Sequence, residues 1–213
     1  MKIRSYPNKK VQCVFAIGVT VVCLAVGVTA VAANSVNADT AVRTELRQEL
    51  LLYANEVENQ NAALAEMNTK DIPVTITFSE YLSFDEIERY VEQYNIKIAQ
   101  LQIRGLEEDG TRLTAFTRTD AGFAETEKIL FDSAQNTGFN VKGIIGMYAW
   151  VDSENLTGIR NDPKTYLADT SGYSEQTQTQ VKNAAQERGS LDVAHRSFPH
   201  SLAWKLEDAG LLG

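Results

Sequence analysis

Hydrophobic and polar positions divide the chain into stretches of different period. Residues 11 to 33, VQCVFAIGVTVVCLAVGVTAVAA, carry no charged side chain and follow a basic leader, MKIRSYPNKK, at residues 1 to 10. The uncharged run is longer than the roughly 20 residues a helix needs to cross the hydrocarbon core, which predicts a transmembrane anchor. Ala30-Val31-Ala32 and Val36-Asn37-Ala38 place small residues where a signal peptidase cuts, so the same run also reads as the core of a signal peptide. Lys2, Arg4, Lys9 and Lys10 precede it and mixed charges (Asp39, Arg43, Glu45) follow it, which orients the N-terminus inside. Under either reading residues 39 onward are expected outside the cytoplasm: a single-pass cell-membrane protein, or a secreted one if cleaved near Ala32 or Ala38.

From 39 to 70 the period becomes helical. Leu46, Leu50, Tyr53, Val57, Gln60, Leu64 and Met67 recur at alternating steps of four and three, a heptad seam with one polar position. The spacing predicts a helical stalk. Its seam serves either a coiled-coil homodimer or an amphipathic helix packed back on its own domain.

Residues 72 to 170 read as one α+β module. Asp71-Ile72-Pro73 stops the helix, and Val74, Ile76 and Phe78 alternate with Thr75, Thr77 and Ser79 as a half-buried strand. Ser83 and Glu86 form a capping box opening a helix with Phe84, Ile87, Tyr90, Val91 and Tyr94 on one face. Strands from Ile96 to Arg104 and from Thr111 to Thr117 flank the turn Glu107-Glu108-Asp109-Gly110. A helix over 121–136 burying Phe123, Leu130 and Ala134 stops at Gly138, and VKGIIGMYAWV at 141–151 is the most hydrophobic strand. A helical turn from Ser153 to Ile159 and a short strand at Thr165–Asp169 complete it. Strand, helix, hairpin, helix, strand is the ferredoxin-like βαββαβ order, and a sandwich of that kind is the expectation. Residues 171–190 are polar and aperiodic, a linker; 191–213 form an amphipathic tail containing Leu202, Trp204, Leu206 and Leu211.

Charge narrows the partners. The chain's formal charge is −8, yet four of its 20 Lys and Arg precede the apolar run, leaving 16 basic against 28 acidic side chains from Asp39 on. So acidic a domain repels phosphate backbones, which argues against nucleic acid. Both cysteines, Cys13 and Cys23, lie within the apolar run, leaving the external part without a thiol.

Catalytic patterns are not found. His195 and His200 are five apart with Pro199 between, the wrong spacing for a helical metal pair, and neither G-x-S-x-G, H-E-x-x-H, a phosphate loop nor a dinucleotide fingerprint occurs. No catalytic, metal or cofactor residue is therefore assigned. Glu107, Glu108 and Asp109 read as a solvated hairpin tip, and no loop has the oxygen spacing of a calcium site. Asn155-Leu156-Thr157 matches a glycosylation acceptor that matters only on a eukaryotic secretory route.

The remaining candidate is a surface. Strict alternation in 141–151 puts Val141, Ile145, Met147 and Val151 on one side and Ile144, Tyr148 and Trp150 on the other. One side meets the helices. The other, Ile144, Tyr148 and Trp150, is expected to form a protein-partner surface together with Trp204, or to be covered by the tail around Trp204.

The stretch GFNVKGIIGMYAWVDSENLTGIRNDPKTYLADT resembles the end of the extracytoplasmic C-terminal domain of bacterial anti-sigma-factor regulators. The strand with Gly143 and Gly146, the short helix ending in Leu156 and Ile159, Asn161-Asp162-Pro163 and the strand Tyr166-Leu167-Ala168 carry the likeness, within 72–170. The same residues resemble the closing half of subtilisin-type propeptides. Anti-sigma regulators carry a cytoplasmic sigma-binding part where about ten residues precede the apolar run here, and propeptides precede a protease. What the resemblance implies is a module that binds or senses, and no functional residues are carried over. The expected function is a membrane-tethered, non-enzymatic binding or regulatory module in envelope signalling or assembly. The alternatives are a secreted hydrolase with dispersed carboxylates and a propeptide-like protease inhibitor.

Overall fold

A computed structural model describes residues 35–173 and 198–212, with side chains from residue 40. The basic leader, the apolar run, most of the expected linker and His195 lie outside the described residues. Among the described residues no helix is long and apolar enough to cross a membrane.

Among the described residues five helices and five strands follow one another as α1 (Ser35–Ala65), β1 (Ile72–Leu82), α2 (Phe84–Gln93), β2 (Lys97–Leu106), β3 (Arg112–Thr117), α3 (Phe123–Thr137), β4 (Asn140–Val151), α4 (Ser153–Asn161), β5 (Thr165–Asp169) and α5 (Ala203–Asp208). Local chemistry explains the boundaries. Ser83 accepts from the Glu86 amide while Glu86 reaches back to the Ser83 amide, completing the capping box of α2. Gly138, at φ 80°, takes the left-handed conformation that ends α3. Gly110, at φ 86°, turns the β2–β3 hairpin, where Asp109 accepts from the Thr111 amide at 2.8 Å.

The strands form one antiparallel sheet in the order β3-β2-β4-β1-β5. The βαββαβ element order is therefore present, but its sheet is not ferredoxin-like. In that fold the first strand lies between the third and fourth, whereas here β4 lies between β1 and β2. Apolar character decides the difference. β4 is the most hydrophobic strand and gains most from the centre, where both faces and both edges are covered. β1 beside it is covered on both faces as well, not half-buried as its alternation suggests: Ile72 through Phe78 are all buried.

One face carries the main core. Ile72, Val74, Ile76 and Phe78 of β1, Leu101 and Ile103 of β2, and Ile144, Met147, Ala149 and Val151 of β4 pack under α2 and α3, with Leu156 and Ile159 of α4 closing the end. On the opposite face Leu50 and Val57 of α1, Ile145 and Leu167 pack with Leu202, Leu206, Ala209 and Leu212 of the C-terminal segment.

The heptad seam of α1 is thus used within the chain. Leu50, Val57 and Leu64 are buried, Leu46 and Tyr53 pack beside them, and the amphipathic-helix alternative is the one realised. Met67 is exposed because the helix stops at Ala65. The helix also covers the free edge of β5. Asn61 donates to the Ala168 carbonyl at 2.6 Å and Gln60 to the Thr170 carbonyl at 3.2 Å, satisfying strand groups that would otherwise invite pairing with another chain.

A β-bulge corrects the reading of β4. Gly146 pairs with Gln102 and Ile144 with the next residue, Ile103, so Ile145 is an extra residue in its strand. The insertion exchanges the faces expected for its neighbours. Ile144 lies on the helix face, fully buried, and Ile145 lies on the opposite face. Beside the bulge, a Cβ on Gly146 would come within 2.6 Å of the Ile76 carbonyl oxygen. Backbone cannot yield as a side chain does. Gly146→Ala is expected to lower the unfolding free energy by about 1–3 kcal/mol, read from urea denaturation.

Candidate functional site

The sheet face opposite α2 and α3 is built from different chemistry. Alternation along β2 sends Leu101 and Ile103 to the core and Gln100, Gln102 and Arg104 the other way. β1 contributes Thr75 and Thr77 to this second face, β3 contributes Arg112, Thr114 and Phe116, and β4 contributes Tyr148 and Trp150. Residues 198–212 lie across it. Thr75 donates to the Pro199 carbonyl at 2.6 Å, and the Leu202 amide donates to the Thr77 hydroxyl at 3.4 Å. The Phe198 ring stacks on Tyr148 at 5.3 Å between centroids and meets Trp150 edge-on at 5.3 Å. Phe116 stacks on Tyr148 at 6.1 Å.

At the far end of the segment sits a charged cluster. Arg104 has a side-chain exposure of 0%, and its Nε donates to Glu207 Oε1 at 2.7 Å. Its Nη1 donates to the Leu113 carbonyl at 2.9 Å and to the Thr114 hydroxyl. Arg112 reaches Glu207 Oε2 at 3.0 Å and Asp208. Tyr81 adds a third donor to Glu207 at 3.1 Å, and burial, followed by the nearby Glu207 charge, pushes its phenol pKa upward. Trp204 caps the arrangement, with the Arg104 and Arg112 guanidinium carbons 4.0 and 4.6 Å from its ring centroid. Arg104 Nη2 and Gln102 Nε2 are buried with no hydrogen-bond partner.

α1 holds the segment from the side. Arg47 donates to the Ala209 carbonyl at 2.8 Å and Lys205 pairs with Glu49. Tyr53 donates to Asp169 at the β5 edge, and burial first, then the Asp169 carboxylate, raises its pKa.

Of the four residues expected to form a partner surface, the structure brings three together. Tyr148 and Trp150 lie under Phe198, and Trp204 lies over the arginines on the same face. Ile144 does not belong with them, because the bulge turns it into the core. The expectation that the tail around Trp204 covers the aromatic face describes what is seen. Gln102, Arg104, Arg112 and Glu207 were not anticipated. The polar alternation of β2 reads simply as a solvated strand face, and nothing linear links Arg104 to a carboxylate 103 residues away.

As chemistry, the cluster pairs charge with charge. Each carboxylate in it is held against a guanidinium. Among the described residues no group of three or more His, Cys, Asp or Glu is placed to hold a metal ion. His200 is exposed, as are Glu107, Glu108 and Asp109 at the hairpin tip. No family model, characterised protein or solved structure matches the chain.

The stacked rings should couple energetically. A double-mutant cycle with Tyr148→Ala and Phe198→Ala is expected to give an interaction energy of about 0.5–1.5 kcal/mol in urea unfolding, and zero coupling would mean the rings are not in contact.

Proposed function

We propose that this chain is a membrane-tethered module of the bacterial envelope that works outside the cytoplasm by contact with another protein rather than by catalysis. The observation that carries the reading is the contrast between the two faces of its sheet. The face under α2 and α3 is apolar, Phe78 among its side chains, and suited to permanent burial. The opposite face presents Thr75, Thr77, Gln102, Arg104, Arg112, Tyr148 and Trp150, a mixture of aromatic area and charged hydrogen-bonding groups of the kind enriched at protein interfaces. Guanidinium forks and aromatic rings bind other chains and also tolerate water.

Tethering rests on the leader. An uncharged run behind four cations enters lipid with its N-terminus inside. α1 begins at Ser35, directly after that run, and its residues 40–45 are exposed before Leu46 makes the first partly buried contact. The helix therefore extends past the sheet domain on the side of the apolar run. As a strut packed on the domain, it would carry a change on the binding face toward the membrane. Such a placement supports reading the protein as a sensing or assembly module in envelope signalling, like the external domains of anti-sigma-factor regulators.

Topology is the first test. Alkaline phosphatase fused after residue 70 is expected to be active in living cells and to stay with the membrane fraction after an alkaline wash. An inactive, cytosolic reporter would contradict the reading.

A further inference from the structure

A sheet face meant to stay closed is normally apolar, since every polar group buried on it must find a partner. This chain follows that rule on one face only. Under residues 198–212 it buries Thr75, Thr77, Gln102 and Arg104, all at 1% exposure or less, and leaves Gln102 Nε2 and Arg104 Nη2 without partners. Permanent closure by aliphatic side chains would avoid both the desolvated charge and the orphaned donors. A face that has to be exposed part of the time cannot be aliphatic.

The covering segment has the form of a bound peptide. It starts at Phe198, 25 residues after Tyr173, contributes no strand to the sheet, and contains one helix of six residues. Its hold on the strands comes through separate polar and aromatic points, Phe198 on two rings, Pro199 and Leu202 on two threonines, Trp204 over two guanidiniums, and Glu207 with Asp208 on Arg104 and Arg112, together with an apolar contact in which Leu202 and Leu206 meet Ile145 and Leu167.

We infer that residues 198–212 are the resident occupant of a peptide-binding site, and that the site's other occupant is an acidic, aromatic-containing segment of a partner protein. Arg104 and Arg112 are the carboxylate receptor. Arg104 Nε and Arg112 Nη1 hold the two oxygens of one carboxylate, a geometry that requires an acid and rejects an amide or an amine. Thr114 and the Leu113 carbonyl fix the Arg104 guanidinium in that pose from behind. An aromatic ring in place of Trp204 completes the site by stacking over both guanidiniums. A partner binds only when its segment outcompetes the resident one, so occupancy depends on partner concentration. The inference rests on the binding-module reading and specifies its ligand.

The test uses the full chain in detergent micelles and a fluorescein-labelled peptide, FPHSLAWKLEDAGLL, copied from residues 198–212. Wild-type chain should bind the peptide weakly, because its own segment competes. A Glu207→Gln, Asp208→Asn chain should bind it at least tenfold more tightly. The same peptide with Gln and Asn at its two acidic positions should bind that chain at least tenfold more weakly, and adding Arg112→Gln to the chain should remove most of the gain. Equal affinity of the two chains, or of the two peptides, would overturn the proposal. So would loss of cooperative unfolding in the Glu207→Gln, Asp208→Asn chain, which would make the segment an ordinary part of the core. Concentration-dependent dimerisation of wild type that added peptide dissolves would give the site to a second copy and also overturn it. None of these outcomes depends on where the protein resides, so a failed topology test and a failed peptide test are separable.

Discussion

Arg104 carries a positive charge on a side chain with no exposed surface, and its carboxylate partner, Glu207, comes from the C-terminal segment. That one pairing constrains the sheet face opposite α2 and α3. A buried guanidinium without a carboxylate is too costly to persist, so whenever the face is closed something must present an acid at that position. The closing segment must arrive with Glu207 over β2, which seats Trp204 on Arg104 and Arg112 and carries Leu206 and Ala209 into the cluster against α1. Leu113 and Thr114 hold the guanidinium from the other side, so β3 is tied to the same point.

Seen from this pair, the molecule has a permanent half and a conditional half. The permanent half is the apolar layer between the sheet and α2, α3 and α4, where Ile72, Ile76, Leu101, Ile103, Met147 and Val151 interlock with negligible exposure. Nothing in that layer gains from contact with water. The conditional half adds ion pairs, hydroxyls and stacked rings, which exchange one partner for another of the same chemistry, to an apolar cluster of the C-terminal segment with α1, Ile145 and Leu167. α1 belongs to both. Asn61 and Gln60 seal the β5 edge, while Arg47 and Glu49 grip the C-terminal segment three turns earlier.

The permanent half was largely legible in the sequence. Ser83 with Glu86, Glu107 to Gly110, Gly138 and the Thr165–Asp169 strand are local signals, each decided by residues within a few positions, and each lies where the pattern places it. Two non-local features were not. The strand order depends on β4 entering between β1 and β2, a choice made by competing burial across the whole sheet. The face of Ile144 depends on a single inserted residue, Ile145, and period-two alternation has no means of registering an insertion. The site divided along the same line. Tyr148, Trp150 and Trp204 stand out as large aromatic groups in a strand and a tail. Arg104 and Glu207 look like ordinary solvated charges until folding joins them.

The central claim is that one face of this sheet opens while the other stays shut. Native-state hydrogen exchange on the full chain measures this directly. The Leu206 and Ala209 amides, hydrogen-bonded within the C-terminal segment, should exchange through an opening at least about 2 kcal/mol cheaper than that exposing the paired amides of β1 and β4. Exchange of both sets at one common free energy would show a single cooperative core and contradict the account.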